Sequence, residues 1–209
     1  MKKKKAIAYN NLIAMKHSND MSFEGRWNAS FGYPIISGSW LIWGQSNNGK
    51  TAFAVQLAKY LTDFGRVAYN SLEERTGPSL QQAFLRDQTK FSTRHLIIYD
   101  QVFYDELVER LSKRRSPDII IIDSFQYMGL NFSQYSKLTS KFKNKLFIFI
   151  SHADGKMPEG RVAKRVRFDA GLKIWIEGFK AFPAGRYGGG EPFVIWPEGA
   201  EKYWEGTAK

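Results

Sequence analysis

A chain of 209 residues with 43% hydrophobic content is long enough for one α/β domain with a full core and leaves little room for a second. It has no cysteine, which excludes a disulfide framework, a cysteine-based zinc site and thiol catalysis. Its 31 basic residues against 20 acidic ones leave a net charge of +11, an excess that bears on partners rather than on fold and suits a polyanion.

Residues 1–22 are polar and basic, with a weak apolar cluster at Ile7, Leu12, Ile13 and Met15. They read as a basic N-terminal arm, either flexible or a short helix that packs on a neighbouring subunit. Lys2 to Lys5 resemble the start of a signal peptide, but Tyr9, Asn10 and Asn11 interrupt the apolar stretch that should follow. No apolar run approaches about 18 residues, so a soluble, cytoplasmic protein with no membrane partner is expected. Residues 23–209 are expected to form the single domain. Phe23 to Ile36, rich in aromatic residues, is expected to pack in the core across the end of the first strand.

Ser39 to Trp43 reads as a buried strand and Ala52 to Leu61 as a helix, with Ala54, Leu57, Ala58 and Leu61 on one face. Arg66 to Ser71 is a second strand, Pro78 to Lys90 a helix and His95 to Tyr99 a third strand. Phe103, Leu107 and Leu111 mark the next helix, which Ser116-Pro117 ends. Asp118 to Ser124 is almost unbroken apolar strand, as in a parallel strand covered on both faces. Tyr135, Leu138 and Phe142 mark another helix, and Leu146 to Ser151 another central strand. Strands alternating with helices predict an α/β fold with a mostly parallel sheet flanked by helices. Leu172 to Glu177, Pro192 to Trp196 and Lys202 to Trp204 read as short strands with no helix between them, an antiparallel C-terminal extension.

Between the first strand and its helix lies Gly44-Gln45-Ser46-Asn47-Asn48-Gly49-Lys50-Thr51, which matches G-x-x-x-x-G-K-[ST]. Phosphate oxygens need several backbone N–H donors turned inward, and a glycine-bearing turn running into a helix N-terminus supplies them. Residues 44 to 52, Ala52 included, are therefore the candidate nucleotide-binding segment. Lys50 is expected to reach the β- and γ-phosphates, and the Thr51 hydroxyl to ligate Mg²⁺. Ile119 to Ile122 followed by Asp123 adds the carboxylate that supports the metal, at the carboxyl end of a central strand. Glu73, just past the second strand, is the candidate general base, while Glu74 reads as an exposed turn residue. His152, at the end of a central strand, is either a γ-phosphate sensor or a structural histidine.

These parts, in this order, resemble the RecA-like P-loop ATPases, and most closely the branch with the DnaB-type helicases, the RadA-type recombination ATPases and the KaiC-like proteins. The resemblance rests on GQSNNGKT at 44 to 51, YNSLEE at 69 to 74 and IIIIDSFQYM at 119 to 128. It implies ATP and Mg²⁺ as cofactors, with catalysis by Lys50 and Glu73. It further implies a homo-oligomeric ring, most simply a hexamer, in which Arg186 or Lys180 reaches the neighbour's site as an arginine finger would. The basic segment with Lys156, Arg161, Lys164, Arg165 and Arg167 corresponds to a loop that faces single-stranded DNA in the family. Its other reading is a solvated or subunit-contacting basic loop. Lys137, Lys141, Lys143 and Lys145 form either a second basic patch or one exposed helix face.

The chain departs from the family where Ala184 stands in place of the usual lysine of a Lys-x-Arg finger pair and His152 in place of the commoner glutamine. The helicase, recombinase and zinc modules that accompany the ATPase in relatives have no counterpart here. Three functions stay open. The first is an ATPase acting on DNA in replication or recombination, of a size that suits a phage or mobile element. The second is a KaiC-like regulatory or scaffold ATPase with a protein client. The third is a small-molecule kinase, which a water-activating Glu73 opposes.

Overall fold

A computed structural model describes residues 6–14, 20–88 and 90–207. The short helix α1 (Tyr9–Ala14) buries none of its residues. Lys2 to Lys5 and Met15 lie outside the described residues. The packed domain begins at Asp20, which bridges to Ile35, and Met21, which is buried and donates its N–H to the Pro34 carbonyl. The following elements are α2 (Gly25–Phe31), β1 (Gly38–Gly44), α3 (Lys50–Leu61), β2 (Val67–Ser71), α4 (Pro78–Arg86), β3 (Leu96–Asp100), α5 (Tyr104–Ser112), β4 (Ile119–Asp123), α6 (Phe125–Met128), α7 (Phe132–Lys141) and β5 (Leu146–Asp154); they alternate as the apolar spacing predicts apart from the helices α2 and α6, which it does not mark, and the extension of β5 beyond Ser151. After them come β6 (Met157–Pro158), α8 (Arg161–Asp169), β7 (Leu172–Glu177), β8 (Lys180–Gly185), β9 (Phe193–Val194) and α9 (Pro197–Thr207).

One sheet runs in the order β3-β2-β4-β5-β1-β7-β8-β9, with β6 folded back on the end of β5. The strands from β3 to β7 are parallel; β8 and β9 are antiparallel. Because side chains alternate across a strand, β1 sends Trp40 and Ile42 to one face and Leu41 and Trp43 to the other. The first face packs on α2 and α3 through Trp27, Phe31, Phe53 and Leu57. The second packs on α5 to α8 through Leu107, Phe125, Leu138 and Val166. Both faces are therefore dry, which explains the near-continuous apolar runs of β1, β4 and β5. Of the aromatic stretch from Phe23, the rings of Phe23, Trp27 and Phe31 are core while Tyr33 is exposed; Trp27 stacks on Tyr60 with ring centres 4.6 Å apart and lies 4.4 Å from Phe193.

The C-terminal part differs from expectation in four ways. Strand β7 is parallel to β1, so the antiparallel extension begins one strand later, at β8. Strand β8 was not predicted, since Pro183 lies inside it; the proline is tolerated because β9 pairs only with Lys180 and Ala181, leaving Pro183 on an open edge. Lys202 to Trp204 is not a strand but part of α9, which starts at Pro197 and turns Ala200 inward one turn before Tyr203 and Trp204. The basic segment is only partly a loop: residues 161 to 169 form α8, held to the sheet by buried Ala163 and Val166.

Candidate nucleotide-binding site

Strand β1 ends at Gly44, where a Cβ would lie 2.3 Å from the Ile176 carbonyl oxygen of β7. Only glycine lets the chain leave the sheet so close to its neighbour. The loop then turns through Asn47 at φ 62° and Gly49 at φ 97°, and α3 starts at Lys50. Asn48 braces this turn. Its Oδ1 accepts from the Gly178 N–H at 2.7 Å, its backbone carbonyl from the Phe179 N–H at 3.2 Å, and its Nδ2 donates to Ser46 O at 3.0 Å. Gln45 ties the other side by donating to Gly155 O at 3.1 Å. The side chains of Asn48 and Gln45 thus shape the loop, leaving its backbone N–H groups and the α3 N-terminus for an anion. Lys50 folds over the loop and donates to Gln45 O at 2.9 Å.

The loop borders a cleft of about 1050 Å³ that also meets Thr51, Ala52, Glu73, Asp123 and His152. The sheet brings these together, since β2 and β5 flank β4 and their carboxyl ends lie side by side. The Leu72 and Glu73 N–H groups both donate to the Asp123 carbonyl, at 2.6 and 3.3 Å, which fixes Glu73 beside Asp123. The Asp123–Ser124 peptide is cis. The Asp123 carboxyl accepts from the Tyr69 hydroxyl at 2.5 Å. Burial pushes that carboxyl up to about 6; the Tyr69 bond and the Lys50 charge oppose the rise, and Glu73 and Glu74 add to it. Burial likewise lowers Lys50, against the pull of Asp123 and Glu73.

His152 points its Nε2 at Glu73 Oε2, 2.9 Å away, and its Nδ1 at Glu159 Oε2, 3.4 Å away. Gln126, three residues past Asp123, accepts from the His152 N–H at 3.2 Å and donates to Ser151 Oγ and the Glu159 carbonyl.

The cleft also contains residues that sequence reasoning missed. Phe179, Ile195 and Trp196 form an apolar wall, with the Phe179 and Trp196 rings edge to face at 5.0 Å. Gln56 donates to Ile195 O at 3.0 Å, and its Oε1 is buried with no hydrogen-bond partner among the described residues. Arg86, in the last turn of α4, adds a second cation. No motif marks these positions, because they lie in four separate parts of the chain: α3, α4, the turn between β7 and β8, and the segment between β9 and α9.

Arg186 and Lys180 do not line this cleft. Arg186 follows Gly185, which pairs with Leu172 at the end of the sheet opposite the phosphate loop, and it is exposed. Lys180 lies at the cleft end of β8 with its ammonium over the Trp204 ring. On α8, the Arg165 guanidinium sits 3.7 Å from the Phe132 ring centre and that of Arg167 5.3 Å from Trp43, while Lys164 pairs with Asp154 at 3.3 Å. Lys156 and Arg161 are exposed. Lys145 donates to Pro117 O, so it does not join Lys137, Lys141 and Lys143 in an exposed patch.

No family model and no curated protein sequence matches the chain. Solved structures do. The flagellar accessory protein FlaH from Methanocaldococcus jannaschii is similar with a TM-score of 0.59 at 16% identity, over 84% of this chain and 96% of that one. The KaiC-like protein PH0186 from Pyrococcus horikoshii OT3 is similar with a TM-score of 0.57 at 17% identity, over 75% of this chain and 81% of that one. Neither likeness bears on the DnaB-type or RadA-type branches. At such identities the likeness speaks for architecture alone: the chain has the RecA-like α/β fold that these KaiC-like and FlaH structures share.

Proposed function

We propose that the chain is a Mg²⁺-dependent ATPase that couples hydrolysis to work on DNA, in replication or recombination. The observation that carries the ATPase reading is the convergence of Lys50, Thr51, Glu73 and Asp123 on one cleft beneath the phosphate loop. The loop N–H groups and Lys50 hold the β- and γ-phosphates, and the apolar wall of Phe179, Ile195 and Trp196 takes the base. The Thr51 hydroxyl and Asp123 carboxylate are hard oxygen donors that fit Mg²⁺ and would hold it in the cleft. No cluster of three or more His, Asp or Glu among the described residues offers a protein-only cage. Bound there, the ion would neutralise charge developing on the transferred phosphoryl group. Glu73 orients and deprotonates the attacking water.

The DNA reading is supported by the outer face of α8. Arg161, Arg165 and Phe168 follow at spacings of four and three, and Phe168 is 73% exposed. Cations that meet phosphates beside an aromatic ring on which a base stacks are what single strands require. A ring-forming homo-oligomer accounts for Arg186, whose position opposite the cleft suits action on a neighbour's site. The second reading, a regulatory or scaffold ATPase with a protein client, draws support from Lys164 and Arg167, each engaged by a partner within the chain. It also suits the description of FlaH as an accessory protein.

Steady-state ATP hydrolysis, measured with and without single-stranded DNA at several salt concentrations, separates these readings. Lys50→Ala should abolish turnover, and Glu73→Gln should retain ATP binding while slowing kcat by about 10²-fold or more. Undiminished activity in Lys50→Ala sinks the ATPase assignment. Stimulation by DNA that fades with salt supports phosphate-backbone engagement. Turnover indifferent to DNA favours the protein client.

A further inference from the structure

We infer that Glu159, a residue outside every motif, is a positioning residue that acts through His152 on the base Glu73; the inference rests on the ATPase reading of the cleft. His152 is held between two carboxylates, with Nε2 2.9 Å from Glu73 Oε2 and Nδ1 3.4 Å from Glu159 Oε2. An imidazole has one donor and one acceptor when neutral and two donors when charged. The contact to Glu73 is a hydrogen bond and Glu159 is an ion-pair neighbour at the ring's other nitrogen, so each carboxylate is served only by a proton on the nitrogen that faces it. With its Nδ1 edge beside the Glu159 carboxylate, the ring presents Nε2 to Glu73, whose side chain borders the cleft. Without Glu159, Nδ1 loses its carboxylate neighbour and the ring is free to rotate or change tautomer, and the orientation of Glu73 goes with it.

The surrounding backbone is built to keep this arrangement. Strand β5 continues to Asp154 and folds back as β6, and the Glu159 N–H donates to the His152 carbonyl at 2.9 Å. Gln126 clamps both ends, accepting from the His152 N–H and donating to the Glu159 carbonyl. Tyr127, the next residue of α6, sets its ring edge to face 6.4 Å from the imidazole. The Glu159 side chain itself is 52% exposed. The charged groups facing the imidazole are thus Glu73 from the β2 end and Glu159 from the segment before α8.

The test compares Glu159→Ala, His152→Gln and the double variant in kinetics and in ¹⁵N spectra of the histidine rings. The chain has three histidines, so His152 is assigned by the signal lost in His152→Gln. Glu159→Ala is expected to lower kcat about tenfold or more, with KM for ATP unchanged, and to move the His152 ring ¹⁵N signals. In the His152→Gln background the same substitution is expected to change nothing further, since its effect runs through the ring. Unaltered His152 signals in Glu159→Ala, an unaltered kcat, or a full additional loss in the double variant would each overturn the inference. If the wild-type protein hydrolyses no ATP while the ¹⁵N signals still move, the ATPase reading fails and the catalytic role of Glu159 with it, an outcome the spectra tell apart from loss of the contact.

Discussion

The Asp123 carboxyl carries an energetic burden that a single amide relieves. Its folded-state value of about 6 stands against an ordinary 3.8, because burial disfavours the charge more than Tyr69 and Lys50 restore it. At 1.36 kcal/mol per unit, ionised Asp123 costs the folded state roughly 2 to 3 kcal/mol at pH 7. Because the folded value lies above the unfolded one, this cost is absent below about pH 4, where both states hold the proton. It grows as pH rises from there and is complete above about pH 6. Asp123→Asn keeps an acceptor for the Tyr69 hydroxyl at nearly the same volume and removes the charge. It is therefore expected to raise stability at pH 7 by roughly 2 kcal/mol, or about 5 °C in Tm for a domain of this size, and to gain nothing at pH 4. The same variant should lose Mg²⁺-dependent turnover and the stabilisation that Mg²⁺-nucleotide gives the wild type. Paired melts at pH 4 and pH 7, each with and without Mg²⁺-ATP, check this. A variant no more stable than wild type at pH 7, or one whose gain is equal at both pH values, would refute the assignment of a buried, strained charge to Asp123.

Two further outcomes follow from the placement of side chains around the cleft. Trp196→Ala removes half of the edge-to-face pair with Phe179, and a base resting there should lose about 1 to 3 kcal/mol of stacking; fluorescence titration with an ATP analogue should show weaker binding by about tenfold, and unchanged affinity would move the base elsewhere. Arg186 lies at the far end of the sheet from its own phosphate loop. If it acts in trans, Arg186→Ala subunits should bind ATP normally yet depress the activity of mixed assemblies beyond simple dilution, whereas a linear fall on mixing would remove it from catalysis.

The parts legible in the sequence were those whose chemistry is written locally. A strand buried on both faces must be apolar at every position, so Ile119 to Ile122 announced a central strand, and Asp123 at its end could only face the cleft. The phosphate loop is legible for the same reason, since Gly44 and Gly49 occupy places a side chain cannot. The rest depends on contacts that no local pattern records. Helix α8 hid its two buried residues, Ala163 and Val166, among four cations and read as a loop. The wall of Phe179 and Trp196 joins the site only because Gly178 and Phe179 donate to Asn48 across the sheet, and these aromatics look in sequence like any other core residue.

His152 shows the limit most clearly, because the sequence offered it two roles and the fold supplies a third contact that neither foresaw. Whether residues 152 and 159 touch depends on how far β5 extends past the core before it turns. A strand ending at Ser151 would have sent Glu159 into solvent; a strand reaching Asp154 returns it to the imidazole. That extension is held by Gln126, which sits one helical turn beyond Asp123 and bonds the backbone at both 152 and 159. The end of β5 and the segment ahead of α8 are thus joined by one amide side chain. A shift of the segment ahead of α8 would therefore reach Glu73 through Glu159 and His152.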